Sequence, residues 1–203
     1  MLSVHDLEYI RGERLLFTEL AFSLHPGEVM QIEGANGSGK TSLMRLVAGL
    51  GLPTEGAIRW NGICIRQCRE AYCQSTVYLG HGLGIKSDLT PLENLQHALA
   101  ISGLALPRKD AIRALADTGL DAFMEQPSRT LSAGQNQRIA LSRLILHPGT
   151  LWILDEPYTA LDRQGINMLN QLLERHSAKG GMAIVSSHQP VELQVPLRTL
   201  QLS

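Results

Sequence analysis

The chain has 203 residues, 44% of them hydrophobic and 18% charged, with a formal net charge of -1. That apolar share is enough for one sizeable core and excludes a disordered chain, while near-neutral charge without a basic run excludes the electrostatic footprint of a nucleic-acid binder. No apolar run approaches the roughly 20 residues that a membrane-spanning helix needs.

The opening residues Met1-Leu2-Ser3-Val4-His5-Asp6 carry acid and lack the basic-then-apolar build of a secretion signal, so a cytosolic chain is expected. Residues 2–9, 20–24 and 57–60 read as short β segments separated by Gly and Pro, with Pro26-Gly27 a clear turn. An antiparallel β beginning follows from this order. Residues 29–33 form a compact strand that runs into a glycine-rich loop, and residues 41–50 carry Leu43, Leu46, Val47 and Leu50 at helical spacing. Cys64, Cys68 and Cys73 come next; three is an odd number, and no disulfide framework is expected. Residues 91–123 place Leu92, Leu95, Leu99, Ile112 and Leu115 at helical spacing, broken by Gly103, Pro107 and Gly119, as in a small helical insertion. The α/β alternation then resumes, with a helix over 131–146, a buried strand over 150–154, a helix over 163–176 and a buried strand over 182–186.

Gly34-Ala35-Asn36-Gly37-Ser38-Gly39-Lys40-Thr41 fills every position of the phosphate-loop pattern G-x-x-x-x-G-K-[ST], between a strand and a helix. Gly37 and Gly39 let the backbone approach phosphates closely, and successive N–H groups then converge at the head of a helix whose dipole favours anions. Lys40 is expected between the β- and γ-phosphates of ATP, the Thr41 hydroxyl on Mg²⁺, and Ser42 at the α-phosphate. The apolar run Leu151-Trp152-Ile153-Leu154 ends in Asp155-Glu156. Asp155 is placed to hold Mg²⁺ through water. Glu156, the next residue and therefore on the opposite side of a continuing strand, is placed to take a proton from the attacking water.

Leu131-Ser132-Ala133-Gly134-Gln135, followed by Gln137-Arg138, resembles the L-S-G-G-Q signature of ATP-binding cassette proteins, and the resemblance extends over nearly the whole chain. It implies an α/β fold of the P-loop NTPase class: one cassette domain over 1–203 with an antiparallel β subdomain, and a small α-helical subdomain over about 84–146 inserted in a RecA-like core. It also implies a face-to-face homodimer, in which Ser132, Gly134 and Gln135 of one subunit contact the nucleotide of the other. Ser132 is at the same time an ordinary N-cap. In the same family order, Ala160-Leu161-Asp162 resembles the loop that passes between the two sites, and His188 the histidine that contacts the γ-phosphate.

Two positions depart from the family pattern. His81 follows residues 77–79 where the family has a glutamine that couples hydrolysis to the transporter, and a histidine there would bring pH dependence near neutrality. Residues 10–14 carry Arg11 where an aromatic usually stacks on adenine; Arg11 can stack through its guanidinium plane, with Tyr9 as competitor.

Within the family the resemblance is to the ATP-binding subunits of cytochrome c biogenesis, also described as haem exporters. It is carried by residues 11–17, by Tyr78 to His81, by Leu89-Thr90-Pro91, by alanine in the signature and by Ser187-His188-Gln189-Pro190. This implies a peripheral subunit at the cytoplasmic face of the cell membrane, docked on partners resembling CcmB and CcmC, whose hydrolysis exports haem or releases the haem-loaded chaperone CcmE; the alternatives are a soluble cassette ATPase acting on nucleic acid or ribosomes, or an exporter subunit for another small substrate. Direct haem ligation by the chain is not expected, since the cysteines show no C-x-x-C-H motif.

Overall fold

The computed structural model describes residues 1–104, 107–188 and 190–202. The chain divides into two compact units, Met1–Gly80 with Gly149–Pro157 and Leu173–Ser203, and His81–Pro148 with Tyr158–Leu172.

The first unit holds two sheets. In the antiparallel one, β1 (Leu2–Arg11) turns at Gly12, in the left-handed region at φ 65°, into β2 (Arg14–Leu24), and β1 also pairs with β4 (Glu55–Trp60), which carries the short β5 (Ile63–Cys64). Irregular pairing between Val4 and Ile10, with Asp6 at φ 46°, interrupts strict alternation in β1. The other sheet is parallel, in the order β6 (Thr76–Leu79), β7 (Leu151–Asp155), β8 (Met182–Ser186), β3 (Val29–Gly34), β9 (Leu197–Leu202). β7 and β8 are buried at every residue, as continuous apolar runs in a covered parallel sheet require. Helix α1 (Lys40–Val47) packs against β3, β7 and β8 through Leu43, Met44, Leu46 and Val47, all buried in the core shared with Ile32, Ile153 and Ile184. Its extent corrects the expected 41–50: the chain leaves the helix at Ala48, and Gly49 sits at φ 71°.

Three elements were not expected, the two-residue β5 among them. Helix α2 (Arg69–Ser75) buries only Tyr72, too little for a periodic signal, and β9 carries a mostly exposed sequence beside β3 at the sheet edge.

The second unit is helical. α3 (Pro91–Ile101) opens with a capping box, Thr90 Oγ1 accepting from the Glu93 N–H and the Glu93 carboxylate accepting from the Thr90 N–H, and Pro91 occupies the first turn, where its missing donor costs nothing. α4 (Arg108–Asp117) and α5 (Ala133–Leu146) pack on it through Leu92, Leu95, Leu99, Ala111, Leu115 and Ile139. Asn94, buried, donates to the carbonyls of Lys86 and Leu89 and to Ser128 Oγ, tying the preceding loop to this core. Helix α6 (Arg163–Ala178) begins in this unit and ends in the first. All three cysteines are free thiols, and no helix among the described residues is long and apolar enough to cross a membrane.

Candidate nucleotide site

Strand register builds the site. Ile32 of β3 stands beside Ser186 of β8, and Ser186 beside Asp155 of β7, so the three parallel strands end in one row. Chain segments leaving that row carry the candidate residues: the loop after Gly34, the acids at 155 and 156, and His188 after β8. Ligands of open parallel sheets bind outside such carboxyl ends.

The loop is held open by glycine. Gly37 and Gly39 lie at φ 81° and 102°, and a Cβ on Gly39 would stand 3.3 Å from Leu16 and Phe17, which back the loop. α1 starts at Lys40 without a side-chain cap, so its first-turn N–H groups keep their capacity for an anion. The Lys40 ammonium, on a side chain in a residue only 8% exposed, donates to the carbonyls of Gly34 at 2.7 Å and Ala35 at 3.2 Å. Ser38 Oγ is buried without a partner, Thr41 is exposed and Ser42 half-buried. An Arg14 guanidinium nitrogen lies 3.8 Å from where a Cβ on Gly37 would be, a basic neighbour of the loop that sequence reading passed over.

Asp155 is 4% exposed; its Oδ1 accepts from Ser186 Oγ at 2.8 Å, and its Oδ2 has no partner. Among the described residues no cationic side chain pairs with it. A buried carboxylate oxygen lacking a donor, on the strand row from which a glycine loop and a helix N-terminus emerge, fits a divalent cation bound with a polyphosphate. Burial, and after it the Asp155 charge, raises the pKa of the Tyr78 phenol on β6.

Glu156 corrects the alternation argument. The strand stops at Asp155, and Glu156 adopts the left-handed conformation at φ 52°, its N–H donating to Ser186 Oγ at 2.8 Å. Its orientation is therefore set by a strained turn, of order 1 kcal/mol above a relaxed one, rather than by the pleat. Glu156 Oε1 lies 3.4 Å from His188 Nε2 without hydrogen-bond alignment, so that oxygen remains unsatisfied in hydrogen-bond terms. His188 is exposed. The structure thus brings the loop, Asp155, Glu156 and His188 to one unit. Arg11 is exposed at the end of β1, paired across the hairpin with Arg14, while Tyr9 stacks on Phe17 with centroids 6.0 Å apart.

The remaining candidates lie in the second unit. His81, exposed, opens it. Ser132 caps α5: its Oγ accepts from the Gln135 N–H at 3.2 Å while Gln135 Oε1 accepts from the Ser132 N–H at 2.8 Å. This box leaves the amides of Ala133 and Gly134 without intrahelical acceptors. Arg138, one turn on, donates to Asp162 Oδ1 at 2.7 Å and to the Thr118 carbonyl at 3.1 Å. The Gly165 N–H, first, and then Arg138 hold the Asp162 carboxyl below its usual pKa. Ser132, Gly134, Arg138, Ala160 and Asp162 line a depression of about 520 Å³.

A parallel sheet that delivers a glycine loop, a helix N-terminus and a carboxylate pair to the carboxyl ends of its central strands defines a P-loop NTPase. The ABC transporter family matches residues 17–159, and the chain belongs to that family: it is an ABC-type ATPase, and its nucleotide is ATP. It is 50% identical to the cytochrome c biogenesis ATP-binding export protein CcmA of Methylococcus capsulatus over 202 residues, covering 100% of this chain and 98% of that one. Against the protein of the same name from Vibrio cholerae it is 46% identical, covering 100% and 98%. Among solved structures it resembles an ATP-binding subunit of an ABC transporter, with a TM-score of 0.81 at 26% identity over 93% of this chain and 79% of that one. A dimeric bacterial ABC transporter cassette gives a TM-score of 0.81 at 24% identity over 93% and 88%, and shows the fold alone.

Proposed function

We propose that this chain is the ATP-hydrolysing subunit of a membrane ABC complex for cytochrome c maturation, powering haem export or the release of a haem-loaded chaperone of the CcmE kind. The observation that carries it is identity of 50% along the full length to a cytochrome c biogenesis export ATPase. The whole chain acts as one cassette, with the helical stretch from about 84 to 146 as its insertion. It sits peripherally at the cytoplasmic face of the cell membrane on subunits resembling CcmB and CcmC, and two copies close face to face over ATP.

The chemistry assigned to each residue follows from its place. Amides of residues 34–39 and the Lys40 ammonium neutralise the phosphates, with Ser42 at the α-phosphate and Arg11 beside the base. Thr41, and Asp155 through water, would hold Mg²⁺, which would supply charge neutralisation to the phosphates. Glu156 accepts a proton from the attacking water; its unsatisfied Oε1 is available for that. His188 contacts the γ-phosphate, and its approach to Glu156 orients the base. Ser132, Gly134, Gln135 and Asp162 serve the nucleotide of the opposite copy, while His81 takes the place of the coupling glutamine.

Tagged Glu156→Gln protein, purified from gently solubilised membranes of its own organism, tests this. Two membrane proteins resembling CcmB and CcmC should accompany it, with any haem absorbance travelling with them. Recovery from the soluble fraction alone, or with ribosomes or nucleic acid, overturns the assignment.

A further inference from the structure

Ser186 closes β8 with no exposed surface. Its neighbours in register are Ile32 and Asp155, so the hydroxyl lies in the row from which the phosphate loop and the acid pair emerge. Ser186 Oγ donates to Asp155 Oδ1 and accepts from the Glu156 N–H, each at 2.8 Å. Only one proton placement satisfies both contacts, because an amide can only donate and an ionised carboxylate can only accept. The preceding residues of the strand, Ala183, Ile184 and Val185, are apolar and fully buried. A position that needed packing alone would continue that series, since an unpaired buried hydroxyl is unfavourable; here both capacities of the hydroxyl are used.

We propose that Ser186 is a positioning residue for hydrolysis, one oxygen that fixes the carboxylate of Asp155 and the backbone of Glu156 against each other. The claim rests on the roles given above to those two acids. Glu156 stands at φ 52°, outside the strand ladder, and its N–H has Ser186 Oγ as acceptor. Asp155, with Oδ1 engaged, keeps Oδ2 as the oxygen without a partner. The metal-side acid and the base therefore share a single anchor. A shift of either one disturbs the hydrogen bond that orients the other.

The experiment uses the full chain and four substitutions, Ser186→Ala, Ser186→Cys, Ser186→Thr and Ser186→Val. Thr and Val add the same bulk and differ in the hydroxyl, and Cys keeps the size with a weak donor, so a folding failure of one variant leaves the comparison intact. Mn²⁺ affinity in the presence of a non-hydrolysable ATP analogue is read by electron paramagnetic resonance, alongside kcat and KM for ATP. Ser186→Ala and Ser186→Cys should weaken Mn²⁺ about tenfold, the equivalent of one charge-assisted hydrogen bond, and lower kcat, read at saturating metal and ATP, at least as much. Ser186→Thr should lie near the wild type and Ser186→Val with the alanine variant. Wild-type Mn²⁺ affinity and kcat in the alanine or cysteine variant, or equal behaviour of Thr and Val, overturns the proposal. Asp155→Asn and Glu156→Gln, measured in parallel, separate the two levels: if they too leave metal binding and turnover unchanged, the site assignment itself has failed.

Discussion

Gly134 is the second residue of α5, and the chain approaches it closely. A methyl group there would stand 2.6 Å from the carbonyl oxygen of Ala160, about 0.8 Å short of an ordinary 3.4 Å contact. Neither wall yields easily. One is a helical turn fixed by the Ser132 and Gln135 capping box, and the other is the backbone of a residue held at φ 63°. Overpacking against backbone costs about 1–3 kcal/mol, and in a chain of this length each kcal/mol lowers Tm by about 2–4 °C. Gly134→Ala should therefore melt roughly 4–8 °C below the wild type by differential scanning calorimetry, if about 2 kcal/mol is lost. Turnover should fall as well, since the shift displaces the amide at position 134. The neighbouring Ala133 is exposed, and Ala133→Gly should change stability by no more than about 1 kcal/mol, the propensity difference. A Gly134→Ala protein with wild-type Tm and turnover would refute the claim that this contact is tight.

Lys40→Ala should abolish most ATP binding in equilibrium dialysis, because the variant removes the ammonium held against the loop carbonyls. Glu156→Gln should still bind ATP and turn it over ~10² to 10⁴ times more slowly, the usual worth of a general base; normal turnover in a phosphate-release assay would remove Glu156 from that role. His176 stacks on Trp152 with centroids 3.8 Å apart and contacts the carbonyls of Thr150 and Met182, and burial depresses its pKa below the ordinary value despite those carbonyls. A depressed histidine pKa means that the unfolded chain takes up the proton first. The contribution of His176 is then complete above an unfolded pKa of about 6.5 and declines as pH falls below it. His176→Phe, which keeps a ring against Trp152, should be less stable than the wild type at pH 8 and show a flatter stability profile between pH 5 and 8 in urea titrations; parallel profiles would exclude His176 as a source of the slope.

Much of this molecule could be read from spelling. The glycine loop, the buried strands at 151–155 and 182–186, and the helices at 133–146 and 163–178 announce themselves because fully buried elements have continuous or periodic apolar sequences. Where burial is thin, the signal fades. β2 reaches back to Arg14 through a stretch in which only Phe17 is buried, α2 is anchored by Tyr72 alone, and β9 is an edge strand whose pairing with β3, not its composition, makes it a strand. The functional side chains show the same division. Lys40, Asp155 and Glu156 are legible because the chemistry proposed for them needs particular residue types at fixed spacing. Ser186 is 31 residues beyond Asp155 and reaches it only through lateral strand register, which one sequence does not encode in any local pattern. Arg14 beside Gly37 and Phe17 beneath Gly39 depend likewise on how the β1–β2 hairpin lies over the loop.

The capping box at the head of α5 places Ser132 under two selections at once. Losing its hydroxyl removes the acceptor for the Gln135 amide, which costs about 1 kcal/mol of helix stability whether or not the protein ever meets ATP. The same loss alters the surface proposed to meet the opposite copy. A lineage that no longer needed hydrolysis would still be slow to shed this serine, whereas Lys40, Asp155 and Glu156 would lose the constraint of catalysis and keep only that of their own hydrogen bonds. Degenerate cassettes descended from such a chain should thus keep an intact-looking signature over a decayed phosphate loop, and a preserved signature alone is poor testimony that an ATPase still works.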